Sequence, residues 1–443
     1  MRFLPRLAAA LAALAPLHAQ YGGPAVLTRG QAPAAMAPNQ IEFRPFLTVS
    51  FGYDTGLNGV SVDTNGNPAN VVSTAIEASG GVSGFHSWKH TTVGLDYRAS
   101  FNHYPSQSYY DATNQYLLLS VTHMLSRHVM FSLRQNAGLF SQNFGLPALV
   151  QTVPFDPTTT YVPTAEFFDN RTFYVSTQAD LTIQRSTRLS FDIGGDGFLN
   201  RRRSTALYGV TGAAARADVQ YRVSRRSTIG AMYNYTHFSF TGIFSSTDIH
   251  TLVASYAVRL TRTLEFSSTG GIARFENKFL QSVPIDPAIA AIICAPGAPC
   301  VTSQVSYLRE YIPNVSARIS QVIPRGVVYA YGGHSVTPGN GLFLTSTATS
   351  VGLGYSYTGL KKWSISTGLA YMRSESVANL VGTYTNFTAT MNVSRHLFRA
   401  TNGIFSFAAR KYGSGDFQNY NLWSYSIRLG LGFTPGEIPL RLW

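Results

Sequence analysis

The side chains of this sequence that could act on a charged solute are arginines and carboxylates at alternate positions of apolar segments. Nine arginines and six carboxylates lie at the polar positions of this alternation, so in a strand they would all point to the same face. They are Arg44, Arg98, Arg134, Arg216, Arg222, Arg259, Arg318, Arg410 and Arg428, with Glu77, Asp96, Asp180, Asp192, Asp218 and Glu265. Guanidinium groups that line an aqueous passage favour anions or acidic glycans. The alternative is that Arg–Asp pairs, such as Asp96 with Arg98, only brace the wall on which they lie.

A heptapeptide is written twice, as QTVPFDP at 151–157 and as QSVPIDP at 281–287, with five of seven positions identical. Because proline fixes φ and lacks a backbone donor, we expect each copy to leave a sheet ladder and turn. Its aspartate can accept hydrogen bonds from nearby backbone N–H groups. We therefore predict two segments that constrict a passage from two sides, although a reused strand-exit motif is an equal alternative. The residues concerned are Pro154, Asp156, Pro157, Pro284, Asp286 and Pro287.

The two cysteines, Cys294 and Cys300, lie close together in IICAPGAPC. In an exported chain such a pair predicts a disulfide. A metal site is not expected, because two cysteines without a nearby histidine supply too few ligands. The sequence has no G-x-S-x-G, H-E-x-x-H or P-loop lysine motif, so we expect neither an enzyme nor a bound cofactor.

The elements that must position these residues are β-strands, because residues 41–433 alternate between apolar and small or polar side chains. In the segment 423–433, Trp423, Ile427 and Leu429 share one face, and Arg428 and Gly430 share the other. Such a segment suits a tilted strand across a bilayer, which needs about 9–11 residues. A soluble sandwich would present Lys and Glu on its second face. Here that face carries Gly, Ser, Thr and scattered Arg, which predicts lipid on the aromatic side and water on the other.

Short and mostly basic turns separate the alternating segments. Eight are recognised: Ser87–Lys89, Ser126–His128, Arg185–Thr187, Ser224–Ser227, Thr261–Thr263, Pro324–Gly326, Gly359–Lys361 and Ser394–His396. With one strand before them and one after, they predict an all-β fold, a transmembrane antiparallel up-and-down barrel of about 18 strands. Sixteen is the alternative if a weak pair near 327–333 is misread. Two intervals are longer than the rest and predict long outer loops at 140–169 and 275–306.

The two ends of the sequence are expected to lie outside the barrel of residues 41–433. The opening MRFLPRLAAALAALAPLHAQ is typical of a secretory signal peptide, here residues 1–19. Residues 20–40 predict a flexible periplasmic lead-in, and 434–443 a C-terminal tail. Ile427, Leu429, Leu431 and Phe433 resemble the signal read by the outer-membrane insertion machinery, which makes that machinery a predicted partner. In that signal an aromatic residue usually ends the chain, whereas here Trp443 follows a further tail.

The composition favours a membrane environment over a soluble one. Charged residues make up 12% and aromatic residues 13% of the chain, whose formal net charge is +13. Soluble domains carry roughly 25% charged residues. The arginines are dispersed and the chain is exported, so nucleic acid is not an expected partner. Outer-membrane lipid and lipopolysaccharide are expected partners, because Arg201, Arg202 and Arg203 form a cluster that could bind phosphate. The alternative is that this cluster is only a solvated loop tip.

The segment FRPFLTVSFGYDTGLNG resembles the opening of outer-membrane β-barrel porins found with exopolysaccharide and capsule loci. In that family a Y-D-[DTS]-N-like turn follows the first strand, and here Gly56 stands where Asn is usual. The resemblance implies a bacterial outer-membrane location, a role in passing or secreting polysaccharide, and polysaccharide-export components as partners. We therefore expect a channel with a mildly cationic lumen. The alternative is a structural or adhesive barrel whose lumen is blocked and whose outer loops bind ligands.

Overall fold

The protein folds as one closed antiparallel sheet. The computed structural model describes residues 41–56, 71–106, 108–140, 172–203, 208–285, 301–338, 344–357, 360, 362–377, 383–414, 422–435 and 438–439. Within them, eighteen long strands follow one another in chain order. They are β1 (Ile41–Thr55), β2 (Val72–Ser87), β3 (Thr91–His103), β4 (Ala112–Met124), β5 (Val129–Phe140), β6 (Thr172–Gln184), β7 (Leu189–Arg202), β8 (Gly209–Arg222), β9 (Ser227–Thr241), β10 (Ser245–Arg259), β11 (Leu264–Pro284), β12 (Val301–Ile323), β13 (Gly326–Thr337), β14 (Ser346–Tyr357), β15 (Trp363–Ser376), β16 (Thr383–Phe398), β17 (Thr401–Ser414) and β18 (Leu422–Phe433).

The sheet closes because β1 pairs with β2 on one side and with β18 on the other. The closing register runs from Leu47 opposite Phe433 to Asp54 opposite Ser426. Closure leaves no unpaired sheet edge, which a strand structure in lipid requires. The predicted count of 18 is confirmed, since β13 pairs along its length with β12 or β14. In the predicted tail, a two-residue strand β19 (Ile438–Pro439) pairs with Glu42 and Phe43 of β1.

The alternation predicted from the sequence sets the two faces of the barrel. On β18, Trp423, Ile427 and Leu429 point outward and are 40–61% exposed, whereas Ser426 and Arg428 point inward and are at most 8% exposed. A contiguous apolar outer surface is stable only against lipid. None of the helical segments in the described part of the chain has the length and apolar character to cross a membrane.

Most of the predicted short turns lie at one end of the barrel. Arg325 has φ of 65° in the connection between β12 and β13, the left-handed backbone that two-residue hairpin turns use. The turn predicted at Ser394–His396 is wrong, because those residues lie within β16. A register shift between His396 and Phe398 lets β16 continue. The turn is therefore Arg399–Ala400, between β16 and β17.

The long loop predicted at 275–306 is shorter in the structure. β11 continues to Pro284 and β12 begins at Val301, with these two residues opposite each other. The prediction that Pro284 leaves the ladder is therefore wrong; it is the last paired residue of β11, and a strand end tolerates the missing donor. Several predictions lie outside the described residues and stay predictions: the signal peptide 1–19, the lead-in 20–40, most of the loop 140–169, and Pro154, Asp156, Pro157, Asp286, Pro287, Cys294 and Cys300.

Candidate functional site

The candidate site is the inner wall of the barrel, where the described side chains carry equal numbers of positive and negative charges. Among the side chains that the structure describes, nine arginines and nine carboxylates have inward parity. They are Arg98, Arg134, Arg202, Arg216, Arg222, Arg259, Arg318, Arg410 and Arg428, with Asp54, Glu77, Asp96, Asp180, Asp192, Asp196, Asp218, Glu265 and Glu310. The predicted cationic excess is not found among them, because Asp54, Asp196 and Glu310 also face inward. The side chain of Arg44 lies outside the described part.

Arg428 is the centre of a buried cluster that crosses the closing seam of the barrel. Its Nη2 donates to Asp54 Oδ2 at 2.8 Å and its Nη1 donates to Asn102 Oδ1 at 2.9 Å and to Glu77. The Tyr104 hydroxyl donates to the same Asp54 oxygen at 2.8 Å. Asp54, Asn102 and Tyr104 are fully buried, and buried charges are stable only when they are paired and hydrogen-bonded. We call these five residues the seam cluster; it braces the wall rather than contacting a solute.

The connection after β3 holds Tyr104 in this position. Asp111 accepts hydrogen bonds from the Tyr104 backbone N–H at 2.8 Å and from His103 Nδ1 at 2.8 Å. Partial desolvation raises the pKa of the Asp111 carboxyl, but these two hydrogen bonds outweigh it and hold the pKa below its ordinary value. Asp111 therefore stays ionised, and it fixes the backbone from which Tyr104 reaches the seam cluster.

A second group of charges lies on β6, β7 and β8. Arg216 forms an ion pair with Asp180, and its Nε is 3.9 Å from Asp192 Oδ1. Asp192 also accepts a hydrogen bond from the Thr182 hydroxyl at 2.6 Å. Asp192 and Asp218 occupy directly opposed positions and are both buried. The hydrogen bond and the ion pair of Asp192 compensate part of the repulsion that like charges have in opposed positions.

The other predicted arginines differ in burial and in their ion pairs. Arg98 donates to both Asp96 oxygens at 2.9 and 2.8 Å, and Arg259 is 2.8 Å from Glu265. The alternative of bracing pairs is thus what the structure shows for Arg98, Arg216, Arg259 and Arg428. Of the remainder, Arg134 is exposed, Arg222 is half-buried, Arg410 is buried, and Arg318 Cζ lies 5.6 Å from the centre of the Tyr329 ring.

We call the end of the barrel away from the short turns its outer end. Toward the outer end of β9, β10 and β11, the outward face becomes polar and the inward face becomes apolar. On β11, outward Ile272 is followed by outward Arg274 and Glu276, while inward Ala273 and Phe275 are buried. On β10, outward Leu252 is followed toward the same end by outward His250 and Asp248. Ile249, which lies between them in the chain, points inward and is buried. A polar outer face with an apolar inner face is the arrangement of a sheet in water. The inversion places the lipid boundary between Ile272 and Arg274.

Above this boundary the inner wall carries an apolar cluster. It consists of Phe198, Val210, Phe238, Phe240, Ile249, Ala273, Phe275 and Ile312, from β7 to β12, and we call it the rim cluster. Phe238 and Phe275 are fully buried, although they point into the barrel. The sequence analysis did not identify this cluster, but its signal is present as phenylalanines on the inward parity of β9 and β11.

Two residues just before β14 contact the rim cluster and β10. Leu344 packs against the cluster, and the Thr345 hydroxyl is 2.6 Å from the Thr247 hydroxyl of β10. Thr247 in turn donates to Asn277 Oδ1 at 3.2 Å. Because three strands separate β10 from β14, Leu344 and Thr345 make these contacts on the inner side of the wall. The residue pattern of the sequence did not predict them.

These features define the class of the protein. A closed 18-stranded barrel with an apolar outer band and a polar inner wall is an outer-membrane β-barrel, and the bacterial outer membrane is its location. In the part of the chain that the structure describes, no three His, Cys, Asp or Glu side chains are grouped so that they could hold a metal ion.

The comparisons with known proteins add similarities of overall fold. The sequence matches no family model and no curated protein. Among solved structures, OccK2 (OpdF) of Pseudomonas aeruginosa is 11% identical, with 90% of this chain and 98% of that chain covered and a TM-score of 0.43. OprD of P. aeruginosa is 9% identical (91% and 97% covered, TM-score 0.39). The ferric-catecholate import receptor Fiu of E. coli K12 is 11% identical (91% and 70% covered, TM-score 0.41). At these values the similarities carry no argument about function.

Proposed function

We propose that the protein is an outer-membrane channel for small hydrophilic solutes, narrowed at its outer end by Leu344 and Thr345. The observation that carries the proposal is the hydrophilic inner wall of an 18-stranded barrel. Barrels of about 16–18 strands leave an aqueous channel. Leu344 and Thr345 contact the rim cluster and β10 on the inner side of the wall, which favours a narrow channel over a wide pore.

The balance of inward charges supports weak ion selectivity. Four of the inward arginines are within ion-pair distance of carboxylates, so much of their field is cancelled close to the wall. Any remaining field is screened over about 8–10 Å at physiological salt. We therefore propose a channel with little preference between small cations and anions, in place of the anion preference expected from the sequence.

The test is conductance of the purified protein in a planar bilayer, with Leu344→Ala as the informative variant. We expect stepwise openings and a reversal potential near zero in a salt gradient, and we expect Leu344→Ala to raise the single-channel conductance. The matched control is Leu360→Ala, because Leu360 lies exposed in the connection between β14 and β15 at the opposite end. A folded protein that never conducts, with either leucine replaced, contradicts the proposal.

A second candidate function, binding at the outer surface, is favoured by the extension of β11 and β12. The β12 residues before Val315 pair with β11 but not with β13. In this extension Tyr307 is 74% and Arg309 62% exposed. Binding of protein-loaded vesicles to whole bacterial cells, lost in Tyr307→Ala with conductance unchanged, supports this function. Lipopolysaccharide, the insertion machinery and polysaccharide-export components stay predicted partners.

A further inference from the structure

Two tyrosines lie flat on the inner wall of β13. Tyr329 and Tyr331 have inward parity on this strand, directly opposite Gly354 and Gly352 of β14. A Cβ added to Gly354 would be 2.1 Å from Tyr329 Cζ and 2.4 Å from both Cε1 and Oη. A point in the ring plane between Cε1 and Oη would be closer to those two atoms than to Cζ, so this point, which is nearest to Cζ, lies over the face of the ring. The Tyr329 ring therefore rests with one face on the glycine backbone.

Tyr331 has the same arrangement one step further along the strand. A Cβ on Gly352 would be 2.4 Å from Tyr331 Cζ and 2.5 Å from Cε1 and Oη. The two ring planes differ by only 22°, and their centres are 6.4 Å apart, which is the spacing of side-by-side rings. Together the rings form a continuous aromatic surface, which we call the tyrosine platform. Its second face points toward the lumen, and both residues are half-exposed.

On its β15 side the platform is bordered by small side chains. Gly368 lies opposite Gly354 and Ala370 lies opposite Gly352. Ser320 of β12 is opposite Tyr329, and Arg318 is opposite Tyr331. Ser356 and Ser366 are opposite each other one step below. An apolar ring surface bordered by hydroxyls and one guanidinium combines the two kinds of contact that a sugar makes.

We propose that the tyrosine platform is a binding subsite for pyranose rings, so that the solutes of this channel include oligosaccharides. The axial C–H groups of a pyranose carry partial positive charge and form an apolar face, which the negative face of an aromatic ring attracts. The sugar hydroxyls then find Ser356 and Ser366, which are accessible at the border. Arg318, whose Cζ lies 5.6 Å from the Tyr329 ring centre, adds a donor for a hydroxyl or a uronic carboxylate. This proposal rests on the proposed channel function.

The neighbouring strand provides a matched control. Tyr355 and Tyr357 form a second near-parallel pair, with ring centres 6.1 Å apart and planes at 12°. They have outward parity on β14, beside outward Leu353. The same residue type in the same spacing is thus present on the lipid side, where a solute in the lumen cannot reach it.

The experiment measures block of the channel current by maltohexaose, a neutral oligosaccharide, in a planar bilayer. We expect maltohexaose to interrupt the current of the unaltered protein, and a polyethylene glycol of matched hydrodynamic radius to do so far less. The double variant Tyr329→Ala/Tyr331→Ala is expected to raise the half-blocking concentration about tenfold, equivalent to about 1.4 kcal/mol of binding free energy. Tyr355→Ala/Tyr357→Ala is expected to leave it unchanged. Oligogalacturonate tests whether Arg318 binds a uronic carboxylate. If it blocks the current at lower concentration than maltohexaose does, and if this difference is lost in Arg318→Gln, the subsite also binds uronic acids.

The possible results separate the subsite from the channel. A conducting protein that maltohexaose does not block, or whose block is the same in both double variants, overturns the subsite and leaves the channel standing. If no variant conducts, the channel proposal fails, and maltohexaose titration calorimetry of the detergent-solubilised protein decides the subsite. If the Tyr329/Tyr331 double variant does not fold, Gly352→Ala replaces it. Its added Cβ displaces the Tyr331 ring without removing it, and the block must then weaken.

Discussion

The seam cluster around Arg428 and the rim cluster around Phe275 both lie inside the barrel, yet opposite interactions hold them. In the seam cluster, charged and amide groups from β18, β1, β2 and β3 form hydrogen bonds and ion pairs with one another. In the rim cluster, apolar side chains from six strands pack together. The outer surfaces differ in the opposite sense, because outward Phe51 faces lipid beside the seam whereas outward Arg274 and Glu276 face water beside the rim.

The difference shows that the surroundings of the barrel, not the inside of it, decide which face is apolar. Where lipid surrounds the strands, the apolar face points outward and the interior must be polar. Where the strands extend into water, the same period-two alternation places the apolar face inward, as in a soluble sheet. One strand, β11, contains both arrangements, with the change between Ile272 and Arg274.

The largest expected effect is on the seam cluster. Arg428→Ala leaves Asp54 and Glu77 buried without their cation, which destabilises the fold by about 3–5 kcal/mol. Urea unfolding in lipid vesicles, followed by the gel mobility of the folded barrel, measures this change. The matched control is Arg134→Ala, since Arg134 also faces inward but is exposed. Equal losses for the two variants contradict the assignment of Arg428 as a structural brace.

Truncating a residue of the rim cluster is expected to reduce the free energy of unfolding almost as much, by a different mechanism. Phe275 is fully buried, and Phe275→Ala removes apolar contacts and leaves a cavity, at a cost of about 3 kcal/mol. The loss should depend little on salt, because the contacts removed are apolar. Tyr307→Ala, which truncates an exposed aromatic on the neighbouring strand, is the control. A Phe275→Ala protein as stable as this control would show that the rim cluster is not a packed core.

Loss of the Thr345–Thr247 contact is expected to give a smaller change in stability and a clear change in current. Thr345→Val removes the hydrogen bond to Thr247, worth about 1 kcal/mol, and should raise the single-channel conductance. Thr247→Val and the double variant complete a mutant cycle. A coupling free energy of zero between the two threonines would mean that this contact does not hold Thr345 in place.

The smallest expected effect tests where the bilayer ends. Glu276 bonds to Arg274 and lies 2.9 Å from Arg309, on the outward face above the proposed boundary. Exposed ion pairs in water contribute little to stability, so Glu276→Gln should not shift the urea midpoint. Asp54→Asn, the same chemical change in the seam cluster, should shift it strongly. A comparable shift in Glu276→Gln would place the Arg274–Glu276–Arg309 group in lipid and move the boundary outward.

Much of the fold could be predicted from the sequence because strand parity is a local property. The alternation along β18, including Arg428, predicted which side chains face lipid and which face the lumen. The basic turns predicted the number of strands. The same parity rule assigned Arg98, Arg216 and Arg259 to the inside. It failed at Ser394–His396, where a bulge keeps β16 paired, and at Pro284, where pairing with Val301 continues the ladder. Pairing energy from a partner strand overrides a local breaking signal, and the partner is not visible in a local pattern.

The sequence by itself therefore determined that this chain is a barrel of about 18 strands with a polar interior. Only the tertiary structure fixed the count at 18 and decided which inward residues contact one another. Arg428 meets Asp54, Glu77 and Asn102 across the closing seam, from positions more than 300 residues away in the chain. Thr345 meets Thr247 across three intervening strands, and the Tyr329 ring lies on Gly354 of the next strand. Each contact depends on the closure and register of the whole barrel, which fix distances between residues that no local spacing relates.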